Sequence, residues 1–308
     1  MVTLAFVFPG QGSQSIAMQA DLAADFPQVR ATYQEASEQL GYDLWQLVQD
    51  GPKERLDETA VTQPAMLTAG VAAWRVWKES GGEDPAQVAG HSLGEYAALV
   101  CAGAIRFPEA VRLVRTRAEL MQQAVPAGEG AMAAILGLDE ETVRGVCSDS
   151  EQGDVVQAVN FNSPGQVVIA GHRSAVERAA ELARNSGARR ALLLAVSVPA
   201  HSRLMQAAAE KLAETLAGAE FCAPSIPVIN NADVVVYESA ERIRDGLKRQ
   251  LFCPVRWSET IERMIEQGAS TIIECGPGRV LAGLTRRIDR SVTSACLDSP
   301  AAVTACLQ

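Results

Sequence analysis

The sequence predicts an α/β fold, a parallel sheet sandwiched between helices, with a small α+β module inserted. Three observations predict it. Short apolar runs of strand length alternate with segments of helical periodicity along most of the 308 residues. A glycine-framed serine, Gly90-His91-Ser92-Leu93-Gly94, marks a sharp strand-to-helix turn. Between residues 126 and 197 the texture changes to strand, helix, strand, strand, helix, strand.

Taken in order, Thr3 to Phe8 reads as a buried strand that runs into the loop Pro9-Gly-Gln-Gly-Ser-Gln14, too rich in glycine for helix or strand. Helical periodicity covers Met18 to Leu40 and Pro64 to Lys78. A short strand ends at Ala89, and an apolar helix from Gly94 to Ala102 is stopped by Gly103. A helix spans Pro108 to Gln123, and Val125-Pro-Ala-Gly-Glu-Gly130 breaks the pattern. The inserted module then reads as strand Ala131–Leu138, helix Asp139–Ser148, strand Val155–Asn162, strand Gln166–Ala170, helix Ser174–Ser186 and strand Arg189–Val198. This order is ferredoxin-like, so residues 126–197 form a subdomain and residues 1–125 with 198–308 the large domain. Beyond it come a helix (Ser202 to Leu216), a strand near Pro227 to Asn230, and helices Ala240–Leu251 and Ser258–Gln267. The strand Ser270–Glu274 and a Gly-Pro-Gly turn follow.

Composition excludes several classes. A hydrophobic content of 48% with 21% charged residues is that of a globular enzyme. The net charge of -10 opposes nucleic-acid and anionic-membrane surfaces while leaving room for a local basic patch. No apolar run has the length of a membrane span, and the first eight residues lack the basic start of a signal peptide. Seven scattered cysteines without a Cys-x-x-Cys pair fit a reducing cytoplasm and suggest neither disulfides nor a metal.

A serine needs a base to become a nucleophile, and the chain has three histidines. His91 adjoins Ser92 and diverges from it at a tight turn, and His172 reads as a solvated or capping residue. By elimination His201 is the base, placed after a strand and a Pro199-Ala200 break where such sites assemble. An oxyanion hole needs backbone donors. Leu93 N–H at the start of the helix is one candidate, and the Gly10-Gln11-Gly12 loop offers a second, with an ordinary loop as the competing reading. On a helical wheel of residues 110–121, Arg117 falls inside the apolar arc. A guanidinium there calls for an anion. Either a buried acid pairs with it, its stem snorkels outward, or it clamps a substrate carboxylate near Ser92.

These residues resemble the malonyl-CoA:acyl carrier protein transacylases, relatives of the acyltransferase domains of polyketide synthases. The motifs are Phe6-Val-Phe-Pro-Gly-Gln-Gly-Ser-Gln14, Val61-Thr-Gln-Pro-Ala65, Gly90-His-Ser-Leu-Gly-Glu95, Arg117 with Met121, and Asn160-Phe-Asn-Ser-Pro-Gly-Gln166. Val196-Ser-Val-Pro-Ala-His201, Pro254-Val-Arg-Trp257 and Glu274-Cys-Gly-Pro-Gly278 complete them. The resemblance implies a hydrolase-like α/β domain with a ferredoxin-like insert. It implies Ser92 as nucleophile, His201 as base and then acid, and Gln250 as the residue whose backbone carbonyl orients His201. It further implies an oxyanion hole from Gln11 and Leu93, and substrate binding by Arg117, Gln63, Met121, Asn160 and Asn162. The substrates implied are malonyl-CoA and acyl carrier protein, with no cofactor or metal, in a cytoplasmic monomer of fatty-acid biosynthesis. Many polyketide-type domains carry Phe before the histidine where this chain has Pro199-Ala200-His201. A discrete acyltransferase of a polyketide pathway, or a serine thioesterase or esterase, is the alternative. An acidic carrier needs a basic dock, for which Arg189-Arg190, Arg203, Lys248-Arg249 and Arg286-Arg287 are the candidates.

Overall fold

The computed structural model describes residues 3–126, 128–196 and 198–308. Met1 and Val2, just before the expected first strand, Ala127 at the module's entry and Ser197, the module's last residue, lie outside them. β1 (Leu4–Phe8) is apolar on both faces. Phe6 and Phe8 pack with Trp77 and its neighbours on one side, and Ala5 and Val7 with Trp257 on the other, as a two-residue period requires.

α1 (Ala20–Asp25) and α2 (Pro27–Leu40) replace the single expected helix from Met18 to Leu40. Phe26 precedes a proline and is held extended, and Pro27 opens the second helix without losing a needed N–H. α3 (Leu44–Asp50), capped by Asp43, and α4 (Lys53–Leu56) are additions to the expected elements. α5 (Thr59–Glu79) starts five residues before the expected Pro64. Proline there removes a donor near the helix start, and burial of nearly the whole segment from Val61 to Ala73 holds the turn preceding it. β2 (Gln87–Gly90), α6 (Gly94–Cys101) and α7 (Phe107–Gln123) follow within a few residues of expectation.

The inserted module comprises β3 (Gly130–Leu136), α8 (Glu140–Ser150), β4 (Val156–Ser163), β5 (Gln166–His172), α9 (Arg173–Asn185) and β6 (Arg190–Leu193). Its antiparallel sheet has the order β4-β5-β3-β6, the ferredoxin-like arrangement. β6 is shorter than expected because the chain leaves the sheet edge after Leu193 and continues as cavity wall through Leu194 and Val196.

A 3₁₀ turn, Arg203–Met205, precedes α10 (Gln206–Gly218), which starts later than the expected Ser202 because Ser202 is itself extended (φ -97°, ψ 164°) and the first turn after it is 3₁₀. β7 (Val228–Ile229), α11 (Ala240–Gln250), α12 (Trp257–Glu266) and β8 (Thr271–Glu274) match the expected order. α13 (Val280–Ile288), β9 (Thr293–Cys296) and α14 (Pro300–Cys306) are additional.

The large sheet runs β7-β2-β1-β8-β9, parallel throughout, with helices on both faces. The two sheets meet at a seam. Val255 N–H donates to Val159 O (2.8 Å) and Phe161 N–H donates to Val255 O (2.9 Å), joining β4 to the approach of α12. Among the described residues, no helix is long and apolar enough to cross a membrane.

Candidate active site

The site lies at the carboxyl end of β2, where the sheet hands over to α6. The turn between them leaves no room for side chains. A Cβ on Gly90 would stand 1.8 Å from Gly94 C, and one on Gly94 would stand 2.0 Å from Phe8 O. Between these glycines Ser92 takes φ 52°, a strained conformation for a non-glycine residue. Ser92 N–H donates to Asn231 Oδ1 (2.6 Å), and Asn231 Nδ2 donates back to Gly90 O (2.6 Å), so one side chain clamps the turn.

His201 reaches Ser92 from the loop after β6. Its Nε2 lies 2.7 Å from Ser92 Oγ, and its Nδ1 lies 2.7 Å from the backbone oxygen of Gln250. A carbonyl can only accept, so Nδ1 carries the proton and Nε2 is left to accept from the serine hydroxyl. Burial, reinforced by the Arg117 charge, pulls the His201 pKa down to about 3, which keeps the imidazole neutral. His91 also lines the cavity, but its Nε2 pairs with Asn162 Oδ1 (2.8 Å) and its ring packs against Trp257. His172 precedes α9 without capping it, and its Nδ1 accepts from Val155 N–H (3.0 Å).

Arg117 is 1% exposed. Of the alternatives its position left open, neither the snorkelling stem nor the ion pair describes it, since no carboxylate among the described residues lies within ion-pair distance. Its Nη1 donates to Gln63 Oε1 (2.6 Å), and Nη2 donates to Gln250 Oε1 (3.0 Å) and Ser92 Oγ (3.3 Å). Its Nε is buried without an acceptor among the described residues. A cation held by neutral amides, with a donor to spare, has the chemistry to receive an anion beside the Ser92 hydroxyl.

Gln11, Gln63, Leu93, Met121 and Asn160 line the cavity with Ser92, Arg117 and His201, and Thr59, Met132, Leu194, Val196, Val198 and Ala200 supply further wall. The N–H groups of Gln11 and Leu93 have no acceptor among the described residues, while the Ser92 N–H is spent on Asn231. Asn160 Oδ1 is likewise buried without a partner. Asn162 stands behind this lining, with its amide oxygen paired to His91.

Two residues were not singled out from the sequence. Asn231 sits in a loop where an Asn-Asn pair reads as a turn, and nothing local marks it. Glu95 did leave a signal, as the one charge in an otherwise apolar helix from Gly94 to Ala102. It is buried and accepts from Asn230 Nδ2, Asn231 N–H and Gln250 Nε2, and burial raises its pKa to about 7. Among the described residues no group of three His, Cys, Asp or Glu is placed to hold a metal ion.

Residues 5–304 match the acyl transferase domain family. The chain is 56% identical over 308 residues to the malonyl CoA-acyl carrier protein transacylase of Escherichia coli, covering 100% of both. It superposes on an acyl carrier protein S-malonyltransferase from Vibrio cholerae with a TM-score of 0.96 at 57% identity, covering 99% of each chain. A malonyl-transacylase in complex with its type II PKS acyl-carrier protein gives a TM-score of 0.98 at 57% identity, again over 99% of each chain.

Proposed function

The chain belongs to the acyl transferase family, and from that premise we propose that it moves a malonyl group from coenzyme A to the phosphopantetheine thiol of acyl carrier protein, by way of a malonyl ester of Ser92. The observation that carries the reading is Arg117, a buried cation with an unsatisfied Nε and an Nη2 3.3 Å from Ser92 Oγ. That receptor suits an acyl group ending in a carboxylate.

His201 Nε2 takes the Ser92 proton as Oγ attacks the thioester carbonyl. The tetrahedral oxyanion is received by the N–H groups of Gln11 and Leu93. Collapse breaks the carbon–sulfur bond, and the departing thiolate takes the proton from His201. The carrier thiol then runs the same steps in reverse, giving its proton to His201, attacking the ester and returning Ser92 to the hydroxyl. The Gln250 carbonyl holds the imidazole through Nδ1 in both halves. Gln63 and Gln250 keep Arg117 aimed, Met121 packs its sulfur against the Gln63 amide (3.5 Å), and Asn160 adds unspent hydrogen-bonding capacity. A thioester and an oxygen ester are close in energy, so the exchange calls for no metal or redox cofactor.

For the carrier, Arg189, Arg190 and Arg287 line one groove with Ser163 to Gln166. The other candidates are committed elsewhere. Arg203 pairs with Glu151, Lys248 with Glu210, and Arg249 with Asp233 and Asp245, while Arg286 donates to Ser294 O. From Arg190 the chain runs along β6 to Leu194 at the cavity, about 13 Å at strand rise, a path for an extended pantetheine arm. Pro199-Ala200 before His201 favours fatty-acid biosynthesis over a polyketide pathway. We place the protein in the cytoplasm as a monomer.

Intact-mass measurement after mixing with malonyl-CoA tests the reading. A malonyl adduct on the native protein and none on Ser92→Ala is expected, with transfer to added carrier. An adduct surviving Ser92→Ala overturns it, and fast carrier-independent release of malonate would instead identify a thioesterase.

A further inference from the structure

Among the described residues Glu95 is the one buried acid that bonds to both Asn231 and Gln250, and the transfer chemistry above gives it no task. Its Oε2 accepts from Gln250 Nε2 (2.8 Å) and from Asn231 N–H (3.1 Å), and its Oε1 accepts from Asn230 Nδ2 (2.5 Å). Gln250 in turn donates from Nε2 to Ser92 O (2.9 Å) and accepts from Arg117 Nη2 at Oε1 (3.0 Å).

A side-chain amide has two faces, a donor and an acceptor, and nothing intrinsic decides which way it turns. Here the decision is forced. An ionised carboxylate accepts only, as does the Ser92 carbonyl, so the Gln250 nitrogen faces these two acceptors and its oxygen faces the Arg117 donor. Were the amide reversed, its NH₂ would oppose the guanidinium donors. The same carboxylate is the negative charge that answers Arg117 through the amide bridge, since Arg117 has no direct acid partner among the described residues.

We propose that Glu95 is a positioning residue for acyl-group selection: through the Gln250 amide it holds Arg117 aimed at Ser92 and balances its charge until a substrate carboxylate arrives. The inference rests on the malonyl-transfer reading. It separates two contributions that a static view merges, the seating of Ser92 by Asn231 and the seating of Arg117 by Gln250 and Glu95.

The test compares Ser92 acylation by malonyl-CoA and by acetyl-CoA at pH 8, read by intact mass, in the native protein, Glu95→Gln and Glu95→Asp. Glu95→Gln is expected to slow malonylation about tenfold to a hundredfold while acetylation changes by less than about threefold, as misplacement of a substrate-holding group would require. Glu95→Asp, which keeps the charge but withdraws it by one methylene, recovers part of the malonyl rate. Equal losses with both acyl groups, or no loss with either, overturn the proposal. If Glu95→Gln does not fold, the Asp variant decides alone: an intermediate, malonyl-selective loss supports the proposal and an unchanged malonyl-to-acetyl ratio overturns it. A native protein that forms no malonyl adduct overturns the underlying reading as well, whereas native labelling with unchanged ratios in the variants removes only the role of Glu95.

Discussion

Ser92 and His201 both hold left-handed backbone (φ 52° and 64°), a conformation that costs a non-glycine residue about 1–2 kcal/mol. The strain places a hydroxyl and an imidazole nitrogen 2.7 Å apart from segments 109 positions distant in the chain. His201 was legible by elimination among three histidines, and Arg117 by a charge on the wrong face of a helix. Asn231 was not, because its importance comes from what it touches. Titration follows from the burial of these groups. With its pKa near 3, His201 is neutral across the physiological range, so acylation of Ser92 by acetyl-CoA should stay flat between pH 8 and about pH 5.5. A fall centred near the ordinary histidine value of 6.5 would contradict this. Glu95 behaves in the opposite sense. Its carboxyl titrates near 7 when folded, against 4.5 ordinarily, so between these values the folded chain keeps a proton that the unfolded chain releases. Stability from this group therefore falls as pH rises from about 4.5 through 7. Glu95→Gln removes that dependence, and its stability relative to the native protein should rise across the window, measured as urea midpoints at pH 5 and pH 8. A difference that shrinks with pH would refute the assignment.

At the level of elements, the Pro9-Gly10-Gln11 loop, the proposed source of one oxyanion donor, packs against a neighbour far away in sequence. Gly276, just beyond β8, takes φ 150°, and a Cβ there would stand 2.8 Å from Pro9 Cγ. Gly276→Ala should displace the Pro9-Gly10-Gln11 loop and lower acylation by malonyl and acetyl groups alike, by about tenfold or more if the Gln11 N–H leaves the oxyanion position. Rates unchanged for both would show that the loop is held by other contacts. The order of strands and helices was legible because apolar runs and helical periodicity dominate this sequence. What escaped was short or relied on packing. α3, α4 and α14 are each seven residues or fewer and offer little periodicity to read. β9 is a four-residue edge strand whose identity comes from pairing with β8. The first turn of α5 precedes a proline, and the helix passes through because its neighbours bury it.

For the molecule as a whole, the net charge is -10, and the Arg189–Arg190–Arg287 groove, the dock proposed for the carrier, is a place where the field can reverse locally. Changing all three to Glu should raise the KM for carrier protein about tenfold or more and reverse its dependence on salt, since screening then relieves repulsion; an unchanged KM and salt profile would move the dock elsewhere. The groove draws Arg189 and Arg190 from one sheet's module and Arg287 from the other domain, which no local pattern in the sequence reveals. The seam at Val255 has a consequence of the same kind. Its two hydrogen bonds join the domain that makes the ester to the module that walls it off. Asn160 stands between the two bonded residues and faces the cavity, so the contact that ties the two units together also fixes where one wall of the acyl chamber stands.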